Sequence, residues 1–256
     1  MAENQYGFPT EVLSLPSQGL LYPEDSPLRS GTIDVKYMTA KEEDILTSSN
    51  LIQQGVVLDR LLESVIADKG IKLDDLLVGD KNALLLGTRI LGYGKDYRCT
   101  ITDPDTEEQV EHTIDLSTIQ HKSIDEKSFE NGNLFSFELP NSKRVLEFKV
   151  LTHGDEKKLQ EINETYENAK KITGIDHSMT NRMKYQIVSI DGKTDQKEID
   201  KFVDNDFLAL DSRAFRLYRD KLNPDVEMVF DYTSQTGKKH KVDLPINVEF
   251  FWPAAE

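Results

Sequence analysis

The residues that could do chemistry are few and widely spaced. The 256-residue chain holds one cysteine, Cys99, and five histidines at 112, 121, 153, 177 and 240. No two histidines share a helical turn, and neither H-x-x-x-H nor H-E-x-x-H occurs. Asp103-x-Asp105-x-Glu107 starts like a calcium loop. It lacks the glycine at the sixth position and the glutamate at the twelfth, where Ile114 stands, so it reads as an acidic turn. Gly79-Asp80-Lys81 and Gly92-Tyr93-Gly94 complete neither phosphate-binding pattern; they read as a turn before a helix and a glycine stop after one. Cys99 lies beside Arg98, which could favour a thiolate, yet a strand cysteine serves more simply as packing. Asp74-Asp75 and Glu42-Glu43-Asp44 fit caps and loops. A glycosidase pair, whose two acids lie far apart in sequence, stays open as the enzyme alternative. The expectation is a non-enzyme with no cofactor and no metal.

Two hairpin turns repeat one pattern. Asp103-Pro104-Asp105-Thr106 and Thr233-Ser234-Gln235-Thr236-Gly237 each place small polar residues three apart, where a zinc knuckle carries C-x-x-C. One cysteine cannot build such a site. A scaffold is left without its ion.

The formal net charge is −15, the pI about 4.8, with 38% hydrophobic and 30% charged residues. This describes a folded chain with a large wet surface. Phosphate binding draws on clustered cations, so nucleic acid is a poor partner for it; a nucleic-acid-binding ribbon protein is the weaker alternative. No apolar run approaches the roughly 18 residues of a membrane helix. MAENQYGFPTEV has no basic start followed by an apolar core, so no secretory signal is visible. The lone thiol suits a reducing compartment.

The elements that must carry these residues follow from pattern. Residues 1–30 hold Pro9, Pro16, Pro23 and Pro27 and read as an extended arm whose apolar residues dock on this domain or on a neighbouring subunit. Thr32–Met38 alternates as a strand, Thr39 and Glu42 form a capping box, and Gly55–Asp68 is an amphipathic helix. Asp80 is expected to cap a third helix ending at Gly92–Gly94, followed by the first hairpin at 96–115. A second hairpin spans 135–150 around Pro140–Lys143. Helices are expected at Gly154–Lys171, Met179–Ile190, 195–203 and 211–222, the last capped by Asp211 and ended by Pro224. The last hairpin runs over 226–246. Helix-then-hairpin occurs twice, ending in IDL at 114–116 and VDL at 242–244, from duplication or coincidence. The fold class is α+β, short helices packed on antiparallel hairpins. Residues 31–152 form an α+β domain, and 153–256 a helical segment with the final hairpin that could join it in one domain.

Interaction surfaces are the remaining signal. The candidates are Leu15, Leu20, Leu21 and Tyr22 in the arm, Leu159, Ile162 and Tyr166 on a narrow helical seam with Ala169, and the terminal Phe250, Phe251 and Trp252. The aromatic trio packs under its own sheet or anchors a partner. Arg213, Arg216 and Arg219 line one helix side, as a solvated face or to meet an acidic neighbour.

LPSQGLLYP at 15–23, VKYMTAKEEDIL at 35–46, LLVGDKNALLLGTRILGYGKDY at 76–97 and VSIDG at 188–192 form a larger pattern. DSRAFRLYRDKLNPDVEMVFDY at 211–232 and PINVEFFWP at 245–253 extend it. Together they resemble the baseplate hub subunit and hub-assembly family of T-even-type contractile-tailed bacteriophages. The resemblance implies a non-catalytic component or assembly factor of the hub, in contact with tube, spike or tape-measure proteins. It implies a place in the virion tail baseplate and in the host cytoplasm during assembly. A transient chaperone that leaves before maturity is the alternative. Members often carry C-P-x-C and C-x-x-C-G in the two hairpins. Here Asp103, Thr106, Thr233 and Thr236 stand at those positions, so hydrogen bonds would have to hold the turns if they meet.

Overall fold

The computed structural model describes residues 6–246 and 248–251. The chain starts with β1 (Thr10–Ser14) paired antiparallel to β2 (Thr32–Lys36), the connection being wound back through turns. Next come α1 (Ala40–Leu46), α2 (Ser49–Gln53) and α3 (Val57–Val65). The α3 face Val57, Leu61, Leu62 and Val65 is buried, as its 3.6-residue period requires. Ile66 then bridges Val35 beside β2. A 3-10 turn at Leu73–Asp75 leads into α4 (Val78–Tyr93) and the hairpin of β3 (Asp96–Thr102) with β4 (Gln109–Asp115).

The second half follows the same order. β5 (Phe135–Glu138) pairs with β6 (Val145–Phe148); α5 (His153–Thr165), α6 (Glu167–Thr173) and α7 (Ser178–Gln186) follow. β7 (Ile187–Ile190) joins β6, and α8 (Gln196–Lys201) runs into a π turn at Phe202–Asp206. α9 (Ala209–Leu222) then leads to the hairpin of β8 (Val229–Thr233) with β9 (Lys239–Asp243) and a 3-10 turn at Val248–Phe251. One apolar core runs through both halves. The molecule is thus a mixed helix–sheet protein built on small antiparallel sheets.

The repeat reaches individual bonds. Glu42 accepts from the Thr39 main-chain N–H at 2.9 Å and from Lys36 Nζ at 2.7 Å. Asp155 accepts from the Thr152 N–H at 3.2 Å and from Lys149 Nζ at 3.0 Å, in the same K-x-x-T-x-x-[DE] frame. Each helix of 9 residues, α3 and α7, hands the chain straight to an isoleucine that pairs with the preceding strand: Ile66 with Val35, Ile187 with Phe148. Leu15 N–H donates to Gly31 O at 2.9 Å, and Leu139 N–H to Arg144 O at 2.8 Å, each leucine opening a Leu-Pro turn.

Several expectations are corrected. Residues 10–30 do not extend as an arm: Leu15, Leu21, Tyr22 and Leu28 are all buried in this chain's core. The helix expected over Met179–Ile190 stops at Gln186, because Ile187, Ser189 and Ile190 are buried and pair with β6, and sheet pairing overrides local helix preference. The polar helix over Gly154–Lys171 is two helices meeting at Tyr166. Asp80 and Asp211 cap nothing; their helices begin two residues earlier, at Val78 and Ala209.

Candidate protein interface

The two aspartates instead fasten loops. Asp80 is fully buried; its Oδ1 accepts the Ser17 main-chain N–H at 2.9 Å, and its Oδ2 accepts Ser17 Oγ and Tyr22 Oη, both at 2.6 Å. Tyr22 Oη in turn accepts the Leu77 N–H at 2.9 Å. Burial raises the Asp80 pKa, against the pull of the Ser17 and Tyr22 donors, and burial likewise raises the Tyr22 phenol. Asp211 is equally buried. It accepts the Asn141 N–H and Nδ2, each at 2.8 Å, and the Ser142 N–H at 2.9 Å. Burial works to raise its pKa, but the Asn141 and Ser142 donors outweigh it and hold the carboxyl at about 2.

The two hairpin turns do meet, through carboxylates. Asp103 Oδ2 accepts Tyr232 Oη at 2.8 Å and the Gln235 N–H at 2.9 Å, while its Oδ1 accepts the Asp105 N–H at 2.8 Å within its own turn. Asp105 Oδ2 accepts Ser234 Oγ at 2.6 Å and Thr236 Oγ1 at 2.5 Å, with His240 Nε2 at 3.2 Å and Lys238 Nζ at 3.3 Å from Oδ1. The Gln235 N–H is the largest influence holding Asp103 down at about 2; the Ser234 and Thr236 hydroxyls lower Asp105 further. Behind the turns His112 stacks on Phe230 at 5.5 Å and meets Tyr232 edge-on. Of the four positions matched to cysteines, Asp103 and Thr236 take part in this contact. Thr106 Oγ1 accepts the Glu108 N–H in its own turn, and Thr233 pairs with Lys239 in the ladder. Asp105, missed from sequence, does most of the joining. Among the described residues no group of three or more His, Cys, Asp or Glu is placed to hold a metal ion.

A third polar cluster ties the halves. Asp59 on α3 accepts Lys81 Nζ from α4 at 2.7 Å and faces His153 Nε2 from α5 at 2.8 Å. Burial pushes the Asp59 carboxyl up, and His153 and Lys81 overcome it to hold it at about 2.

The structure distributes the expected contact residues unevenly. Leu15, Leu21, Tyr22, Leu159, Phe250 and Phe251 are buried in this chain, and Leu20 is half-buried against the same core. Trp252 and the side chain of Ala169 lie outside the described residues. Ile162 and Tyr166 stay exposed on α5 and its end, and Ile172, Ile175 and Met179 continue the apolar strip, Ile172 at 85% exposure. Tyr166 lies 5.6 Å from the His177 ring. A second exposed strip on α9 comprises Leu210 and Leu217, with Leu208 just before it. The sequence reading singled out neither extension: Ile172 and Ile175 follow the end of its 154–171 helix, and exposure at Leu210 and Leu217 depends on which face of α9 the rest of the fold covers.

Exposed apolar side chains thus lie along α5–α7 and along α9 of a chain with net charge −15. The chain belongs to the T4 bacteriophage base plate protein family, whose family model matches residues 21–252. Membership indicates a structural part in the phage tail baseplate, with other tail proteins as neighbours. Neither the curated proteins nor the solved structures contain a match. No helix among the described residues is long and apolar enough to cross a membrane.

Proposed function

We propose that this protein is a baseplate hub component or hub-assembly factor that works by protein–protein contact and not by catalysis. The observation that carries this reading is the strip Ile162, Tyr166, Ile172, Ile175 and Met179 left exposed over α5–α7. Scattered surface leucines are ordinary, but a run of large apolar side chains left exposed over consecutive helices marks a contact site. Family membership supplies the setting, and tube, spike or tape-measure proteins are the neighbours such a strip would meet. The protein would be made in the host cytoplasm and join the tail there.

The test is genetic and structural. Disrupting the gene should stop hub assembly, and Ile172→Asp with Met179→Asp should do the same while the purified variant keeps its melting temperature. Normal baseplates from either strain would refute the reading. Mass spectrometry of purified virions then separates a resident subunit from a chaperone, which would fall far below one copy per hub.

A further inference from the structure

We infer that the outer face of α9 is a docking surface for an acidic, partly apolar segment of a neighbouring subunit. The helix has two faces, each with a three–four repeat. Asp211, Phe215, Tyr218 and Leu222 turn inward; the Phe215 ring meets Phe148 edge-on at 5.0 Å and Tyr218 stacks on Phe137 at 4.6 Å. Leu210, Arg213 and Leu217 turn outward, with Leu210 66% and Leu217 63% exposed. Leucines seven apart on a solvent face have the spacing of a helix seam.

The charge beside them is unbalanced. Asp211 is taken by the 141–142 loop and Asp220 by Arg219. Arg216 Nε reaches only the Ser212 carbonyl, at 3.4 Å. Arg213, Arg216 and Lys221 have no acid partner among the described residues, against Asp206 as a free acid in the turn upstream. A cationic strip on a chain of net charge −15 selects an acidic occupant.

The first half of the molecule shows what such a face receives. Counted from the matched aspartates 80 and 211, Leu210, Arg213 and Leu217 of α9 correspond to Gly79, Asn82 and Leu86 of α4. At Gly79 and Asn82 that face of α4 is covered by the segment following α9, while Leu86 also neighbours Leu13, Leu116 and Ile119. A Cβ on Gly79 would lie 1.9 Å from Pro224 O, Asn82 Nδ2 donates to Asp225 Oδ1 at 3.0 Å, and Leu86 is 6% exposed. The covering segment is pinned by the Lys122 N–H on Asp225 O at 2.8 Å. It is an extended stretch that sets a carboxylate on the middle residue of the face. On α9 an arginine replaces that asparagine and calls for a full ion pair. Leucine replaces the glycine, so the occupant is held off by side-chain thickness and makes contact through its own apolar side chains.

That the occupant is a tail protein rests on the proposed function; the surface itself does not. p-Benzoyl-phenylalanine placed at Leu217 in phage-infected cells should cross-link a segment of another protein rich in Asp or Glu and apolar residues. Adding Arg213→Glu and Arg216→Glu should cut the yield about tenfold at unchanged melting temperature. If the pair lowers the melting temperature, Arg213→Gln alone replaces it. No adduct, an adduct only with another copy of this chain, a segment without acids, or a yield indifferent to the charge change would each overturn the inference. An acidic segment from a protein outside the tail would keep the surface and refute the hub reading. A lost hub on gene disruption with no adduct would do the reverse.

Discussion

Asp80 and Asp211 occupy one structural position twice: each is the third residue of a long helix, each is fully buried, and each accepts the N–H of the residue following a Leu-Pro pair, Ser17 and Asn141. In both halves a helix that packs on the core thereby fixes the turn of a hairpin or hairpin-like loop far away in sequence. A carboxylate suits the task, since it accepts several bonds without presenting a donor. The two differ in their donors, and the difference is measurable.

Around Asp211 two of the three donors are main-chain N–H groups, which cannot reverse. Around Asp80 two of three are hydroxyls, which can rotate to accept. Asp211→Asn sets an amide N–H₂ against a main-chain N–H in either orientation, so it should lower the urea midpoint clearly. Asp80→Asn should cost about 1 kcal/mol or less, whereas Asp80→Ala, stranding three donors, should cost about 3 kcal/mol. Equal losses for the two asparagine variants would contradict the donor assignment.

The pH dependence of these variants should have opposite signs. Asp211 is held at about 2, below its ordinary 3.8, so its ionised bonds stabilise the fold above pH 4 and that gain fades as pH falls toward 2. The gap between the wild type and Asp211→Asn should therefore be widest at neutral pH and close on acidification. Asp80 is raised by burial, so protonating it favours the folded state. Wild type should gain on Asp80→Asn as pH drops from 7 toward 4. Chemical denaturation at pH 7, 5, 4 and 3 checks both; parallel curves would refute the assigned directions.

Much of this was legible in advance. Hairpins at 96–115 and 135–150, the Thr39–Glu42 capping box and an amphipathic helix within 55–68 announce themselves by local pattern; the structure has them, the helix running over Val57–Val65. The repeat showed only in its last third, as IDL and VDL. Leu-Pro at 15 and 139, Lys-x-x-Thr at 36 and 149, and Leu-x-x-Asp at 77 and 208 lie at unequal separations, because the loop of 15–31 is longer than that of 139–144, while the stretch from 149 to 208 is longer than that from 36 to 77. The aspartates were misread because a helix N-terminus attracts acids for capping, and nothing local says that a distant loop will take the carboxylate instead. The strand Ile187–Ile190 failed likewise, its partner β6 being remote in sequence.

The turn contact should behave as a metal-free clasp. Asp105→Ala removes the acceptor shared by Ser234, Thr236 and His240, and Asp103→Ala the one shared by Tyr232 and Gln235. Hydrogen–deuterium exchange should rise over residues 102–109 and 233–239 in either variant, while α3 and α7 keep wild-type protection. EDTA should leave the wild-type melting temperature unmoved. A fall on chelation would mean that an ion, and not these hydroxyls and amides, joins the turns.

Arg89 governs the chain's far end. It is 2% exposed; its Nε donates to Phe250 O at 2.5 Å, Nη1 to Gly94 O at 2.8 Å and Nη2 to Asp96 O at 3.2 Å. Its guanidinium lies 5.5 Å from the Tyr93 ring and 5.7 Å from Tyr97. Main-chain carbonyls and aromatic faces thus stand where a buried cation would ordinarily find a carboxylate, and burial lowers its pKa. Lysine offers a point charge and cannot span three carbonyls. Arg89→Lys should therefore loosen the Val248–Phe251 turn, and Arg89→Leu should cost roughly 2 to 4 kcal/mol by stranding those carbonyls. Limited proteolysis reads the local effect: both variants should be clipped near 245–251 before any other site, with Arg89→Leu the faster. Cleavage first within α5–α7 in both variants would mean that the C-terminal aromatics hold without Arg89, through contacts such as Tyr97–Phe250 at 5.0 Å.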